Sequence, residues 1–388
     1  MTVSDLLRRH IFGISLLYSF QTGLILYFNS SLLVERGFSE QAAGALFSAG
    51  YALMLVFLFF IPRILRVVGN RRTFSGGLLV LGAALLGVST LDNQLVTAIL
   101  LPLALALITV LYAVLDLALT AVSSDVHKVA GRRGLYTTLV HVGYIAAQLL
   151  SAYLLITGQF SLLYGIAGTL FIVLAGISYT LLNRFKDPVY EKADWPEVVR
   201  RLVSSKDLRN TFFVQFLLSS FYAIMVVYTP LYLLDHVGIP VEELGLIFAI
   251  MLLPFVILMV PVGRLEDSVW NEREVLITGF AVIAFATVAL SLITSVSVVV
   301  WALALFATRV GAALVEIGVD AYFFKHVHGG DSGEVSAYRM ITPLAFMVAP
   351  LLGAILISFA PFHFIFILLS GVMLLGILPS RALNNVAK

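Results

Sequence analysis

The stretch Asn183-Arg184-Phe185-Lys186-Asp187-Pro188-Val189-Tyr190-Glu191-Lys192-Ala193-Asp194-Trp195-Pro196-Glu197 opens the longest polar passage of the chain, which runs on through Arg200, Arg201, Lys206 and Asp207 to Arg209. Everything around it is apolar. A bilayer core of about 30 Å takes about 20 apolar residues per helix. Six runs of that kind precede the polar passage, at 10–28, 40–61, 74–91, 96–122, 135–156 and 161–182. Six more follow it, at 210–234, 242–262, 274–293, 297–323, 335–358 and 362–379. The polar passage therefore reads as a linker, 183–209, between two six-helix bundles, 1–182 and 210–388. Its second part, from Trp195 to Leu202, fits a short amphipathic surface helix. The expected fold is an all-α membrane protein with twelve transmembrane helices in two pseudo-symmetric six-helix bundles.

Composition points the same way. Of 388 residues, 60% are hydrophobic and 12% charged, against roughly 45–50% and 25% in soluble domains. That much apolar surface exceeds what one water-soluble core can bury, so lipid is the solvent it must meet. The chain has no cysteine, which excludes disulfides, thiolate metal sites and cysteine nucleophiles. The first apolar run, Ile11 to Phe28, is long enough to span and lacks a clear cleavage site, so it reads as a retained helix.

Basic residues set the expected orientation. With both termini cytoplasmic, the inner segments carry Arg8, Arg9, Arg63, Arg66, Arg71, Arg72, Lys128, Arg132 and Arg133 in the first half. The linker adds Arg184, Lys186, Lys192, Arg200, Arg201, Lys206 and Arg209, and Arg264, Arg273, Lys325, Arg381 and Lys388 follow. The outer loops carry only Arg36. One missed or added helix would scramble this asymmetry, so it supports the count as well as the orientation. The chain is expected in the cell (plasma or inner) membrane.

The halves align on one another. At a shift of 201 residues (213 less 12), Phe12 meets Phe213, Ser19-Phe20 meets Ser220-Phe221 and Tyr27 meets Tyr228. Gly37 meets Gly238, Gly44 meets Gly245 and Phe47 meets Phe248. With one residue more, Tyr136 meets Tyr338 and Leu149-Leu150 meets Leu351-Leu352. Parallel six-helix halves are a known transporter plan. After the second run the chain reads Pro62-Arg63-Ile64-Leu65-Arg66-Val67-Val68-Gly69-Asn70-Arg71-Arg72, and the matching loop of the second half begins Gly263-Arg264-Leu265-Glu266-Asp267. This resembles the major facilitator superfamily, whose loop motif between helices two and three is roughly G-x-x-x-D-R-x-G-R-K-R. The late glycine and two arginines match in the first half, where Pro62 and Arg66 replace the first glycine and the acid. The second half keeps both of those.

The resemblance implies a cytoplasmic gate. In that superfamily the loop after helix two meets the start of helix eleven, and the loop after helix eight meets the start of helix five. Arg66 would then pair with Glu334, and Asp267 with Arg132 or Arg133. Such exposed pairs contribute about 0–1 kcal/mol each, so they would bias a conformational equilibrium rather than lock it. The alternative is that all are ordinary interfacial charges.

Ionisable residues within the apolar runs are few, and such residues usually face the protein interior. Arg309, Glu316 and Asp320 share one face of helix ten by their spacing of seven and four. Thr109, Tyr112, Asp116 and Ser123 share a face of helix four, and Thr137, His141, Tyr144 and Gln148 one of helix five. Ser15, Tyr18 and Thr22 form a stripe on helix one, as do Gln215, Ser219 and Tyr222 on helix seven. The resemblance makes helices one, four, seven and ten the lining of a central cavity. Arg309, Tyr18, Thr22, Tyr112, Gln215 and Tyr222 are the candidate substrate residues. Asp116, Glu316, His141 and Asp320 are the candidates for proton coupling, since a desolvated carboxylate can titrate near neutrality and free imidazole has a pKa near 6.5. For each, a structural role is the alternative: interfacial placement for the aspartates, neutralisation of Arg309 for Glu316, packing for His141.

The resulting expectation is a secondary transporter that moves a small solute by alternating access with protons coupled, including efflux of amphiphilic compounds. A lipid or amphiphile flippase on the same scaffold, or a non-transporting receptor or scaffold, is the alternative. Abundant Tyr and Phe and a slight excess of cavity acids suit an amphiphilic or cationic solute, whereas Arg309 favours an anionic group. Helix five lacks the proline of antiporter motifs. No Gly-Lys dipeptide occurs, which excludes a P-loop. Catalytic groups are scattered rather than clustered, so no enzyme, cofactor or metal is expected. The partners are solute, protons and lipid, with no nucleic acid, and the chain is expected to be a monomer. His326-x-His328 with Asp331 reads as a solvated loop. Asn29-Ser30-Ser31 fits a glycosylation acceptor at a helix end.

Overall fold

The computed structural model describes residues 3–122, 129–157, 159–188, 204–258, 271–326 and 332–383, together with Pro196, Arg200 and Pro261. Among these residues there is no strand. The long helices are α1 (Val3–Leu26), α2 (Glu40–Val68), α3 (Asn70–Thr90), α4 (Gln94–Ala121), α5 (Val129–Leu154) and α6 (Phe160–Leu181). They continue with α7 (Lys206–Leu231), α8 (Val241–Ile257), α9 (Glu272–Leu290), α10 (Val298–His326), α11 (Ser332–Ile357) and α12 (Phe364–Leu375). Among the described residues, ten spans are long and apolar enough to cross a membrane. The apolar part of α5, Thr138–Leu154, and the 17 residues of α8 complete the twelve. The expected surface helix over Trp195 to Leu202 and the pair His328 and Asp331 fall outside the described residues, apart from Pro196 and Arg200.

The sequence starts these helices by local capping. The Ser39 hydroxyl accepts from Ala42 N at 3.2 Å, and the Ser205 hydroxyl from Leu208 N at 3.3 Å. Asn271 and Glu274 form a reciprocal capping box at the start of α9. Each such cap satisfies a backbone donor that the first helical turn leaves open. Outward faces carry large apolar side chains, among them Phe59, Leu95 and Phe285, the last 72% exposed. In water such a surface would aggregate; against lipid it is the expected coat.

The chain forms two compact units, Met1–Glu191 with Pro240–Ala249 and Lys192–Ile239 with Ile250–Lys388. In the first, α1 packs on α5 and α3 on α6. In the second, α7 packs on α11 and α9 on α12. These are the pairings that the sequence repeat relates. Its register is visible in the backbone too: Gly37 and Gly238 both close a helical segment at φ +83°, a left-handed conformation that favours glycine.

Interhelical polar bonds and small residues hold each unit. In the first, the Gln148 amide donates to Gly23 O at 2.6 Å, the Ser151 hydroxyl to Leu24 O at 3.0 Å, and the hydroxyls of Ser75 and Ser178 lie 3.0 Å apart. In the second, the Tyr228 hydroxyl donates to Pro350 O at 2.6 Å and that of Ser370 to Ala284 O at 2.8 Å. Lipid gives no hydrophobic drive between helices, so close backbone approach and such bonds carry the association.

Two polar groups that the sequence left open are placed. Arg36, the exception to the basic asymmetry, folds over the end of α3: its guanidinium donates to Val88 O at 3.1 Å and Leu91 O at 3.2 Å and pairs with Asp92. Asn29 is 1% exposed, and the Tyr164 hydroxyl donates to its Oδ1 at 2.6 Å. Buried in this way, it is not an acceptor that a glycosylating enzyme could reach. The linker is anchored at its start, where the Asp187 carboxylate accepts from Asn70 N, the first residue of α3, at 2.7 Å.

The contact between α9 and α10 leaves no room for a side chain. A Cβ on Gly311 would lie 2.6 Å from Ile283 N and 2.7 Å from Gly279 O. Replacing Gly311 with Val is expected to destabilise the protein by about 1–3 kcal/mol, the usual cost of overpacking. A lowered unfolding temperature in detergent checks this; an unchanged one would mean that the two helices do not pack as described.

Candidate functional site

The polar residues of the second unit converge on α10. Arg309 lies near the middle of that helix, with Glu316 about 10 Å further along its axis and Asp320 one turn beyond, at 1.5 Å per residue. The Tyr222 hydroxyl, from α7, donates to Glu316 Oε2 at 2.7 Å. The Tyr338 hydroxyl, from α11, donates to Asp320 Oδ1 at 2.8 Å and lies 3.2 Å from Gln215 Oε1. Gln215 Nε2 in turn reaches Thr342 Oγ1 at 3.5 Å, and the hydroxyls of Thr342 and Ser219 are 3.0 Å apart. Three helices thus contribute to one hydrogen-bonded stripe. Like charges four residues apart on a helix repel, and here each carboxylate has its own tyrosine donor.

Arg309 is held differently. Its side chain is 1% exposed, and Nε and Nη1 have no hydrogen-bond partner. Its guanidinium carbon lies 5.1 Å from the ring centroid of Phe221 and 5.3 Å from that of Tyr222. Among the described residues, no ion pair involves Arg309. Cation–π contact supplies about 0.5–2 kcal/mol, less than the cost of two buried charged donors left unbonded.

The candidates of the first unit are placed as follows. The Tyr18 hydroxyl donates to Ile108 O of α4, and its ring packs against Phe74 and Phe171 at 6.0 and 5.7 Å, inside the bundle. Thr22 and its neighbour Gln21 are buried with Oγ1 and Oε1 unbonded. Tyr112 and Asp116 on α4 are half-buried, as is His141 on α5, whose ring stands edge-on to Tyr144 at 6.3 Å. Of the gate residues, Arg66 is exposed and its Nε donates to Pro62 O of its own helix at 3.2 Å. Asp267 lies outside the described residues, as do the side chains of Arg132, Arg133 and Glu334.

Gln215, Tyr222, Glu316 and Asp320 are therefore brought together, with Arg309 beside Tyr222. Tyr338 and Thr342 complete the stripe and were missed in the sequence. Their four-residue spacing on α11 is the signal that would have found them. Groups of three or more potential metal ligands are absent among the described residues.

A family model described as Major Facilitator Superfamily matches residues 11–342 and 211–384. Among solved structures, the chain is similar to the nucleoside transporter NupG, with TM-score 0.77, 12% identity and 97% of this chain and 98% of that one covered. It is similar to an auto-inhibited POT family peptide transporter, at 0.77, 12%, 97% and 96%. A bacterial homolog of the human lysosomal transporter Spinster, in an inward-facing unoccupied conformation, matches at 0.71, 14%, 98% and 93%. At these identities the likeness is one of fold. No curated protein matches the sequence.

Tyr338→Phe removes the hydrogen bond from the Tyr338 hydroxyl to Asp320 and is expected to lower stability by about 1–2 kcal/mol. Tyr153→Phe, at a side chain 70% exposed, should leave it unchanged. Chemical denaturation of the two variants checks this, and equal midpoints would show that the Tyr338–Asp320 bond contributes nothing.

Proposed function

The chain belongs to the major facilitator superfamily, and from that premise we propose that it is a secondary active transporter that moves a small solute by alternating access, coupled to protons. Its bundles are 1–182 and 210–388, with the linker 183–209 and both termini on the cytoplasmic side, and it works as a monomer. The observation that carries this reading is the stripe of Gln215, Tyr222, Glu316, Asp320, Tyr338 and Thr342 inside otherwise apolar helices. Polar groups in a membrane span are costly and mark solute or proton paths more often than packing.

Arg309, Gln215 and Tyr222 are the solute-binding residues of the second unit in this account, and Tyr18, Thr22 and Tyr112 are the candidates of the first. Glu316 is the first choice for the proton-carrying group. It is a half-buried carboxylate with a single neutral hydrogen-bond donor, so a proton can add to its free oxygen while Tyr222 stays in place. Asp320 also accepts from a tyrosine one turn away, and Asp116 and His141 are the corresponding candidates on α4 and α5. The similar structures include transporters of nucleosides and of peptides, so small solutes of both kinds belong in the first transport panel.

Glu316→Gln separates carrying a proton from binding the solute, because an amide oxygen still accepts from Tyr222. In proteoliposomes, the variant should retain solute exchange at equilibrium and lose accumulation driven by an imposed proton gradient. Accumulation equal to that of the unaltered protein would exclude Glu316 as the coupling group.

A further inference from the structure

We propose that Arg309 is the recognition point for the carboxylate of a monoanionic solute with a flat apolar body. The inference rests on the transporter reading and names the solute's chemical class. Arg309 is 1% exposed, and two of its guanidinium nitrogens are buried without a hydrogen-bond partner. A buried charge in this state is unstable unless something supplies an opposite charge. Glu316 attracts the guanidinium from a distance, but no ion pair or hydrogen bond joins the two. Glu316 shares its helix face but lies a full two turns away, and its Oε2 is taken by the Tyr222 hydroxyl. Asp320 lies a turn further and is bound by Tyr338. Both acids are thus engaged with tyrosines, while the base is left with donors to spare.

An incoming carboxylate matches the geometry. Guanidinium and carboxylate pair through two parallel N–H···O bonds, which are shorter and stronger than neutral ones. One negative charge neutralises Arg309. A second on the same solute would face the carboxylates further along α10, so a monoanion is favoured over a dianion. The walls decide the rest of the solute. Phe221 and Tyr222 flank the guanidinium, and the Tyr222 ring is packed against Phe255 at 6.2 Å. Flat apolar surfaces of this kind suit an aromatic or other planar body.

The test compares three probes of one shape and three charges, benzoate, benzamide and benzamidine, on the full chain in detergent. Thermal shift reads binding, and exchange of the same compounds in proteoliposomes reads transport. Benzoate alone should stabilise the protein, and Arg309→Met should weaken its binding by about 10- to 100-fold, as expected when charge-assisted hydrogen bonds are lost. Without ligand, Arg309→Met should unfold no earlier than the unaltered protein, because it removes an unpaired buried charge. Arg309→Lys, which keeps the charge but not the fork, should bind benzoate more weakly than the unaltered protein. It carries the test if the Met variant does not fold. Equal shifts from all three probes, no shift from benzoate, or a benzoate shift that survives both substitutions would overturn the proposal. Arg309-dependent benzoate binding with exchange of none of the three would uphold the anion site and overturn the transport reading instead.

Discussion

A backbone N–H or C=O in the hydrocarbon core of a bilayer has no water to bond, and each one left unbonded costs several kcal/mol. Helices satisfy that demand segment by segment, which is why the described spans of this chain are helical throughout. The same constraint governs side chains. Most of the polar groups in these spans return to a backbone carbonyl of their own helix or a neighbour, as Ser151 does with Leu24 and Ser370 with Ala284. Against that background, a set of polar groups from three helices bonded mainly to one another stands out. The Tyr222–Glu316 and Tyr338–Asp320 bonds hold two acids where lipid alone would reject them.

The duplicated plan explains where such a set can form. Helices packed at glycine contacts, as α9 and α10 are at Gly279 and Gly311, cannot separate without losing dispersion contacts along their length. Those pairs give each unit a stiff frame. The pair α7 and α11 also packs at a glycine, Gly353 against Tyr228, and is joined elsewhere through polar hydroxyls and amides, including Ser219, Thr342, Gln215 and Tyr338. Contacts of that type can exchange one partner for another at little cost, the property that a solute-binding surface needs.

The fold was legible because lipid imposes length and period with little tolerance. Twelve runs and the asymmetry of basic residues fixed the count, and the match of Gly37 with Gly238 anticipated a turn that the structure builds twice with the same φ. The site was legible in part. Spacing alone put Arg309, Glu316 and Asp320 on one face, yet it could not say which partner each would find, since that depends on helix packing across long sequence separations. Tyr338 and Thr342 escaped that reading because they lie on α11, which is not among the helices that the resemblance makes the cavity lining. Tyr18 shows the converse: its stripe on α1 is real, while its hydroxyl is spent on Ile108 O and its ring on Phe74 and Phe171.

To bind a solute, the stripe on α7, α10 and α11 must be reached by water. The chain contains no cysteine, so single substitutions Gln215→Cys and Thr342→Cys can be probed with a membrane-impermeant thiol reagent, with Phe285→Cys on the lipid-facing surface as control. The account predicts that the first two react in native membranes, at rates that change when a solute is bound, and that the control does not. Failure of the reagent to reach either stripe position from either side of the membrane would mean a dry, packed interior and would contradict it.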